Sequence, residues 1–377
     1  MRELLDALNV RADGFVRELL AWCSIESPSE DEGATTRMAE VVAGRMAEAG
    51  AAVELLPGDV HGARVVARWA GAADQEPILL LGHHDTVHPL GSLAQNTPRV
   101  EGGRCYGPGG YDMKAGLLMA AAALGALVEG GRELPRPVVL ISSADEEIGS
   151  ADTRALIEET ARGSAAVLVL EPAARDGALK TARKGVGMFT LTAHGRAAHA
   201  GVDHAAGVSA ITELAHQVLA LAAMTDYERG ITLNVGKIRG GTARNTVAAE
   251  AVAGVDLRVS SLEDARLMTE RILGLRPVLP GARLEVSGGV ERPPMERASG
   301  TARLFALARS LGQEIGLDLR ETSTGGGSDG NFTAALGVPT LDGLGTRGDG
   351  AHTDHEYVLI ADLAPRAALL AGLVTHI

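Results

Sequence analysis

The sequence predicts an α/β protein: a doubly wound, mixed-sheet principal domain that carries an inserted α+β domain. Three observations predict it. The short apolar runs ILLLGHHD, PVVLISSADEE and AAVLVLEPA have no helical period and read as buried strands that end in polar residues. Helical patterns alternate with them, as expected of a largely parallel sheet covered on both faces. From about residue 185 the texture changes to strand–helix–strand–strand–helix–strand, the split βαβ order called ferredoxin-like.

In chain order, the first 32 residues read as an amphipathic helix with regular charges, which is no signal peptide. Residues 34–49 form a second helix, and strands follow in AAVELLPG and GARVVARWAG. ILLLGHHD is the next strand, then the glycine-rich GPGGYDMKAG, then a long helix to about Gly130. PVVLISSADEE and AAVLVLEPA complete the alternation. The insert takes its strands from MFTLTAHG, ITLNVGKIRGG, AEAVAGVDLRVS and ARLEVSGGV, and its helices from GVSAITELAHQVLALAAM and LEDARLMTERILGL. Pro293 and Pro294 mark the return hinge. The expected division is 1–184 and 293–377 for the principal domain and 185–292 for the insert.

Composition narrows the function. A chain of 377 residues is long enough for two domains, and 46% hydrophobic with 22% charged residues is an ordinary globular balance. The net charge of −13 argues against nucleic-acid binding, which needs clustered Lys and Arg. Cys23 and Cys105 fit no metal or redox pattern. Apolar stretches such as LLMAAAALGALV read as too short and too rich in Ala and Gly to span a membrane. The expectation is a soluble, cytoplasmic protein.

Chemistry gathers at the strand ends. His83–Asp85, Asp112, the pair Glu146–Glu147, Glu171 and His352 supply mixed imidazole and carboxylate groups. Each alone is as well explained by a helix cap or a salt bridge. Together they suit zinc and are numerous enough for two ions. No HExxH helix is present, which disfavours a single-zinc protease of that kind.

The ordered motifs GHHDTV, YGPGGYDMKAG, DEEIGS, LEPA, AAHAG, GGGSD and GAHTDHEY cover essentially the whole chain. With them the chain resembles the co-catalytic zinc amidohydrolases, which include glutamate carboxypeptidase, acetylornithine deacetylase, succinyl-diaminopimelate desuccinylase and aminoacylase-1. The GGGSD loop and the HTDHEYV ending are most similar to the glutamate carboxypeptidase branch. The resemblance implies two zinc ions, with cobalt or manganese as substitutes. It implies that His83, Asp112 and Glu171 bind one ion, that Asp112 bridges to the other, and that Glu147 and His352 complete the second site. Asp85 would then orient His83, and Glu146 would be the general base. His84, His88 and His355 are not expected to be ligands.

The resemblance also makes the insert a dimerisation and lid domain of a homodimer. His199 would reach the partner's active site and polarise the scissile carbonyl, while Asn245 and Arg258 would contact a substrate carboxylate. The loop Gly325–Asp329, through Gly326, Gly327 and Ser328, would offer N–H groups to the same anion. Arg183 and Lys184 add local positive charge at the hinge, either solvated or placed to help an acidic substrate. Tyr111 and Ala115 depart from the small residue and the glycine usual at their positions, and a cis peptide is implied between Asp112 and Met113. The expected substrate is a small N-acyl amino acid or short peptide, cleaved at an amide next to a free carboxylate. Release of a glutamate-like C-terminal residue is the leading expectation. N-acyl amino-acid deacylation is the alternative, and a non-catalytic binding protein of the same fold the rival from another class.

Overall fold

The computed structural model describes all 377 residues, Met1–Ile377. The chain forms two compact units. One comprises Met1–Ala182, Arg297–Ser323 and Ser328–Ile377; the other comprises Arg183–Glu296 with Thr324–Gly327. The second unit thus begins two residues before the position read from the sequence and recruits a short loop from far along the chain.

The first unit is built on a six-stranded mixed sheet. Its strands run, in spatial order, Ala52–Leu56, Arg64–Trp69, Val138–Ser143, Ile78–His83, Ala166–Val169 and Thr340–Leu341. The first two junctions are antiparallel and the remaining three parallel. Ile78–His83 is buried at all six positions, because a strand with parallel neighbours on both sides is covered on both faces. In register, His83 lies opposite Ser143, and Leu81 lies opposite Val169. Three adjacent parallel strands therefore finish at one level, and the residues just beyond them converge.

The helix Ala115–Glu129 packs beneath this sheet with nearly every residue buried. The apolar run Gly110–Glu129 reaches the length of a membrane span only if the non-helical Asp112 and Met113 are counted; the helix proper has 15 residues, and burial inside the unit explains its apolar character. Gly82 permits the close approach, since a Cβ there would stand 2.8 Å from both Leu117 Cδ2 and Met113 Cε. The N-terminal segment is two helices, Arg2–Asn9 and Ala12–Cys23, rather than one. A second small sheet, absent from the sequence reading, joins Arg99–Glu101, Arg104–Tyr106, Tyr357–Leu359 and Gly348–Asp349.

The second unit has the order expected of it. Its antiparallel sheet runs Thr232–Gly240, Glu250–Val259, Gly185–His194, Arg283–Arg292, with helices Ala210–Ala222 and Leu262–Leu273. Burial alternates along Glu250–Val259, so one face carries Val255 and Leu257 toward Leu214, Leu221, Met268 and Ile272. Ser209 and Ser261 cap the two helices by accepting from Thr212 N and Asp264 N.

Candidate metal centre

Five donors meet beyond the carboxyl ends of the parallel strands. His83 closes its strand, the turn Glu146–Ile148 follows Val138–Ser143, and Glu171 lies two residues past Val169. Asp112 arrives on the turn before the buried helix, with a cis peptide to Met113. His352 arrives on a loop where its φ of +65° is left-handed, an uncommon conformation for a residue with a side chain.

Asp112 faces both histidines. Its Oδ1 is 3.3 Å from His83 Nε2, and its Oδ2 is 3.3 Å from His352 Nε2. Glu171 Oε1 lies 3.4 Å from His83 Nε2, and Glu147 Oε2 lies 3.1 Å from His352 Nε2. Donors at bonds of about 2.0–2.2 Å around a tetrahedral zinc stand about 3.3–3.6 Å apart. The separations therefore fit the edges of two coordination shells sharing Asp112. Glu147 Oε1 is buried with no hydrogen-bond partner, as an oxygen reserved for a cation would be. Nitrogen and carboxylate donors without sulfur suit zinc, and tolerate manganese or cobalt. The residues present fit the metal pair implied by the sequence.

The electrostatics agree. Burial alone would lower the pKa of His83, yet Asp112, Asp85 and Glu171 raise it well above the usual value. Asp112 and Glu147 push His352 up to about 10 against its partial burial. Burial would raise Asp112, but the two histidines hold its carboxyl well below the usual carboxylate range. Protons on the histidines offset the negative charge here, and a metal ion would displace them.

The two adjacent glutamates face different neighbours. Donor atoms of Glu147 cluster with His83 and Asp112 within 4.8 Å, whereas those of Glu146 cluster with His83 and Glu171. Asp85 fixes this turn as well as the ring. Its Oδ1 lies 3.3 Å from His83 Nδ1, although that nitrogen is nearer the Asp85 main-chain oxygen at 3.0 Å. The same carboxylate accepts the N–H of Glu146 at 3.3 Å and of Glu147 at 3.1 Å, and the Ser29 hydroxyl at 2.7 Å.

Sequence reasoning missed Glu356. This buried carboxylate accepts from the main-chain N–H of Gly109, Tyr111 and Asp112 at 2.8–2.9 Å and pairs with His88 Nε2 at 2.9 Å. His88 is thus no ligand but a strut. Glu356 lies within the motif GAHTDHEY, four residues after His352, but the sequence reading takes that motif for its histidine and gives the glutamate no role. His84 is buried against Ser142 Oγ, with burial pulling its pKa down to about 4. His355 is exposed. Tyr111 donates its hydroxyl to Ala173 O at 2.9 Å, outside the donor cluster.

In the second unit, His199 and Asn245 are exposed and adjacent: Ala200 N donates to Asn245 O at 2.9 Å. His199 Nδ1 accepts from Gly201 N and Val202 N, each at 3.2 Å, so the proton of the neutral ring sits on Nε2. Arg258 is less available than its residue type suggests. Its Nε and Nη2 hold Asp256 at 2.9 Å each, and Nη1 reaches Gly325 O at 3.4 Å. Arg183 is buried and donates to the carbonyls of Gly326 and Gly327 at 3.2 and 3.0 Å, so it is not solvated. Ser328 is also committed: its N–H goes to Asn331 Oδ1 and its hydroxyl to Asp342 Oδ2, so it has neither to offer an anion.

Comparisons with known proteins identify the family. The model of peptidase family M20/M25/M40 matches residues 79–376. Carboxypeptidase G2 of Pseudomonas sp. (strain RS-16) is 32% identical over 322 residues, 84% of this chain and 77% of its own length. Succinyl-diaminopimelate desuccinylase of Halorhodospira halophila is 30% identical over 386 residues, 96% of this chain and 97% of its own. The structure of aminopeptidase PepT from Bacillus cereus superposes with a TM-score of 0.79 at 25% identity, covering 97% of this chain and 98% of that one. The chain is a member of the M20/M25/M40 peptidase family, the metal-dependent hydrolases of peptide and acyl amide bonds.

Proposed function

We propose that this hydrolase cleaves an amide adjacent to a free carboxylate and releases a glutamate-like C-terminal amino acid from an N-acyl or peptidyl group. The observation that carries the reading is the division between neighbouring glutamates, which share His83 but differ beyond it, Glu147 against Asp112 and His352 and Glu146 against Glu171. The likeness to carboxypeptidase G2 supports the carboxypeptidase direction. N-acyl amino-acid deacylation is the second reading, favoured by the desuccinylase match along nearly the whole chain.

His83, Asp112, Glu147, Glu171 and His352 would hold two zinc ions. Bound there, the ions would supply Lewis acidity toward the carbonyl and lower the pKa of water. Glu146 takes the proton of the attacking water on its carboxylate and returns it to the departing amine nitrogen. Asp85 keeps the Glu146–Glu147 turn and the His83 ring in place for both steps. His199 of a partner subunit donates its Nε2–H to the developing oxyanion. Asn245, adjacent to His199 and therefore also of the partner subunit, and the remaining Arg258 edge, beside the Gly325–Gly327 loop at the other end of its strand, take the substrate carboxylate. The protein works as a cytoplasmic homodimer in this reading, its dimer contact lying in the second unit.

The test is hydrolysis by metal-loaded enzyme of N-acyl amino acids and dipeptides that differ in the carboxyl-side residue. Preference for glutamate by tenfold or more, lost when its α-carboxylate is amidated, is the expected outcome. Equal turnover of amidated substrates would refute it.

A further inference from the structure

A cavity of about 650 Å³ opens beside Glu147, with all its lining residues in the first unit. Three of the large side chains this unit leaves in solvent line it: Val87, Leu90 and Ile148, exposed by 41%, 53% and 45%. Isolated exposed apolar residues are ordinary, but three converging on one cavity next to a candidate metal ligand are not. Its wall is fixed by main-chain bonds, Ser29 N to Thr86 O at 3.2 Å and Thr86 N to Ser27 O at 2.8 Å. Such a cavity is preformed and of the size that takes a small organic group.

Its charge is one-sided. Glu30, Asp31 and Glu147 line it, and no Lys, Arg or His does. Asp31 spends one oxygen on Ala34 N at the start of its helix, and Glu30 is exposed at the rim. Glu147 is a candidate metal ligand, so the like charge that a substrate carboxylate meets in the loaded enzyme is that of Glu30 and Asp31, with no cationic side chain in the lining to offset it.

We propose that this cavity receives the acyl flank of the scissile amide and selects an extended, uncharged, apolar acyl group over an anionic one such as succinyl. The inference rests on the amide-hydrolase reading above, and it separates that reading's two branches. The flank bearing the free carboxylate needs donors, which this cavity lacks. The other flank needs apolar contact, which Val87, Leu90 and Ile148 supply. Each methylene buried there is worth about fourfold in kcat/KM.

The experiment holds the leaving amino acid constant as glutamate and varies the acyl group on the metal-loaded enzyme. Hexanoyl- and benzoyl-glutamate are expected to exceed acetyl-glutamate at least tenfold in kcat/KM, and succinyl-glutamate to fall below acetyl. Glu30→Lys places a cation at the exposed rim and should raise the succinyl-to-hexanoyl ratio about tenfold. Leu90→Ala should lower the hexanoyl-to-acetyl ratio severalfold. Turnover with a flat acyl profile, or succinyl preferred by the unmodified enzyme, overturns this inference and leaves the amide-hydrolase reading standing. No turnover of any N-acyl amino acid overturns both.

Discussion

The buried carboxylate of Glu356 accepts the main-chain N–H of Asp112 at 2.9 Å, across 244 residues of sequence. The bond ties the loop carrying one histidine of the donor cluster to the turn carrying the aspartate between both histidines. Glu356→Ala would leave three main-chain N–H groups and His88 without their acceptor. The expected cost is about 3–5 kcal/mol of stability, with a clear loss of bound metal. Thermal unfolding and metal analysis on the same preparation check this. An unchanged midpoint with full metal content would show that the turn holds itself.

Asp85 supports ring and turn at once, so Asp85→Ala should weaken metal binding by about 10–100-fold. Competition with a chelator of known affinity measures it. Unaltered affinity would mean that the Asp85 main-chain oxygen, 3.0 Å from His83 Nδ1, suffices to orient the ring.

Two metal ions per chain are expected, roughly 3.5–4 Å apart as in other two-metal hydrolases. Glu147→Ala should lose one of them. Glu146→Ala should keep both while turnover falls by about 100–10,000-fold, the usual worth of a general base. Equal metal loss in both variants would contradict the separate neighbours of the two glutamates.

Glu213 gives the second unit a dependence on acid. Burial works against its carboxylate, but the Gln217 amide and the N–H groups of Val278 and Leu279 hold its pKa below the usual 4.5. A depressed folded-state pKa means stability that is complete above the unfolded value and lost as pH falls through the folded one. Glu213→Gln should therefore cost about 1–3 kcal/mol at neutral pH, and less near pH 3. Unfolding by urea at both pH values measures the difference. A cost that does not shrink in acid would remove Glu213 as its source.

A homodimer formed mainly through residues of about 185–292, with each His199 serving the other chain, predicts complementation. Mixing inactive His199→Ala with inactive Glu146→Ala should restore activity, because each mixed dimer then has one site with both defects and one with neither. Differently tagged chains establish that subunits exchange. Exchange without recovery would place the action of His199 within its own chain, or nowhere.

What the sequence revealed followed from the kind of signal each feature carries. The strand Ile78–His83 was legible because burial on both faces demands an unbroken apolar run. The insert was legible because its strands and helices follow one another without interruption. Glu356 was not, since its importance lies in three N–H groups that only the folded turn presents. Arg183 and Ser328 misled for a related reason: a charged or hydroxyl side chain near a glycine loop suits an anion or the loop's own carbonyls and side chains equally well. Arg258 needed the strand itself, which puts Asp256 two residues away on the same face.

The long span between Asp112 and Glu356 also sets an order of events during synthesis. At roughly 5–20 residues per second, a ribosome takes about 12–50 s to travel from one to the other. The contiguous stretch Arg183–Glu296 emerges in that interval and can fold while its host is still incomplete. A nascent chain therefore displays His83, Asp112, Glu147 and Glu171 well before His352 exists to join them.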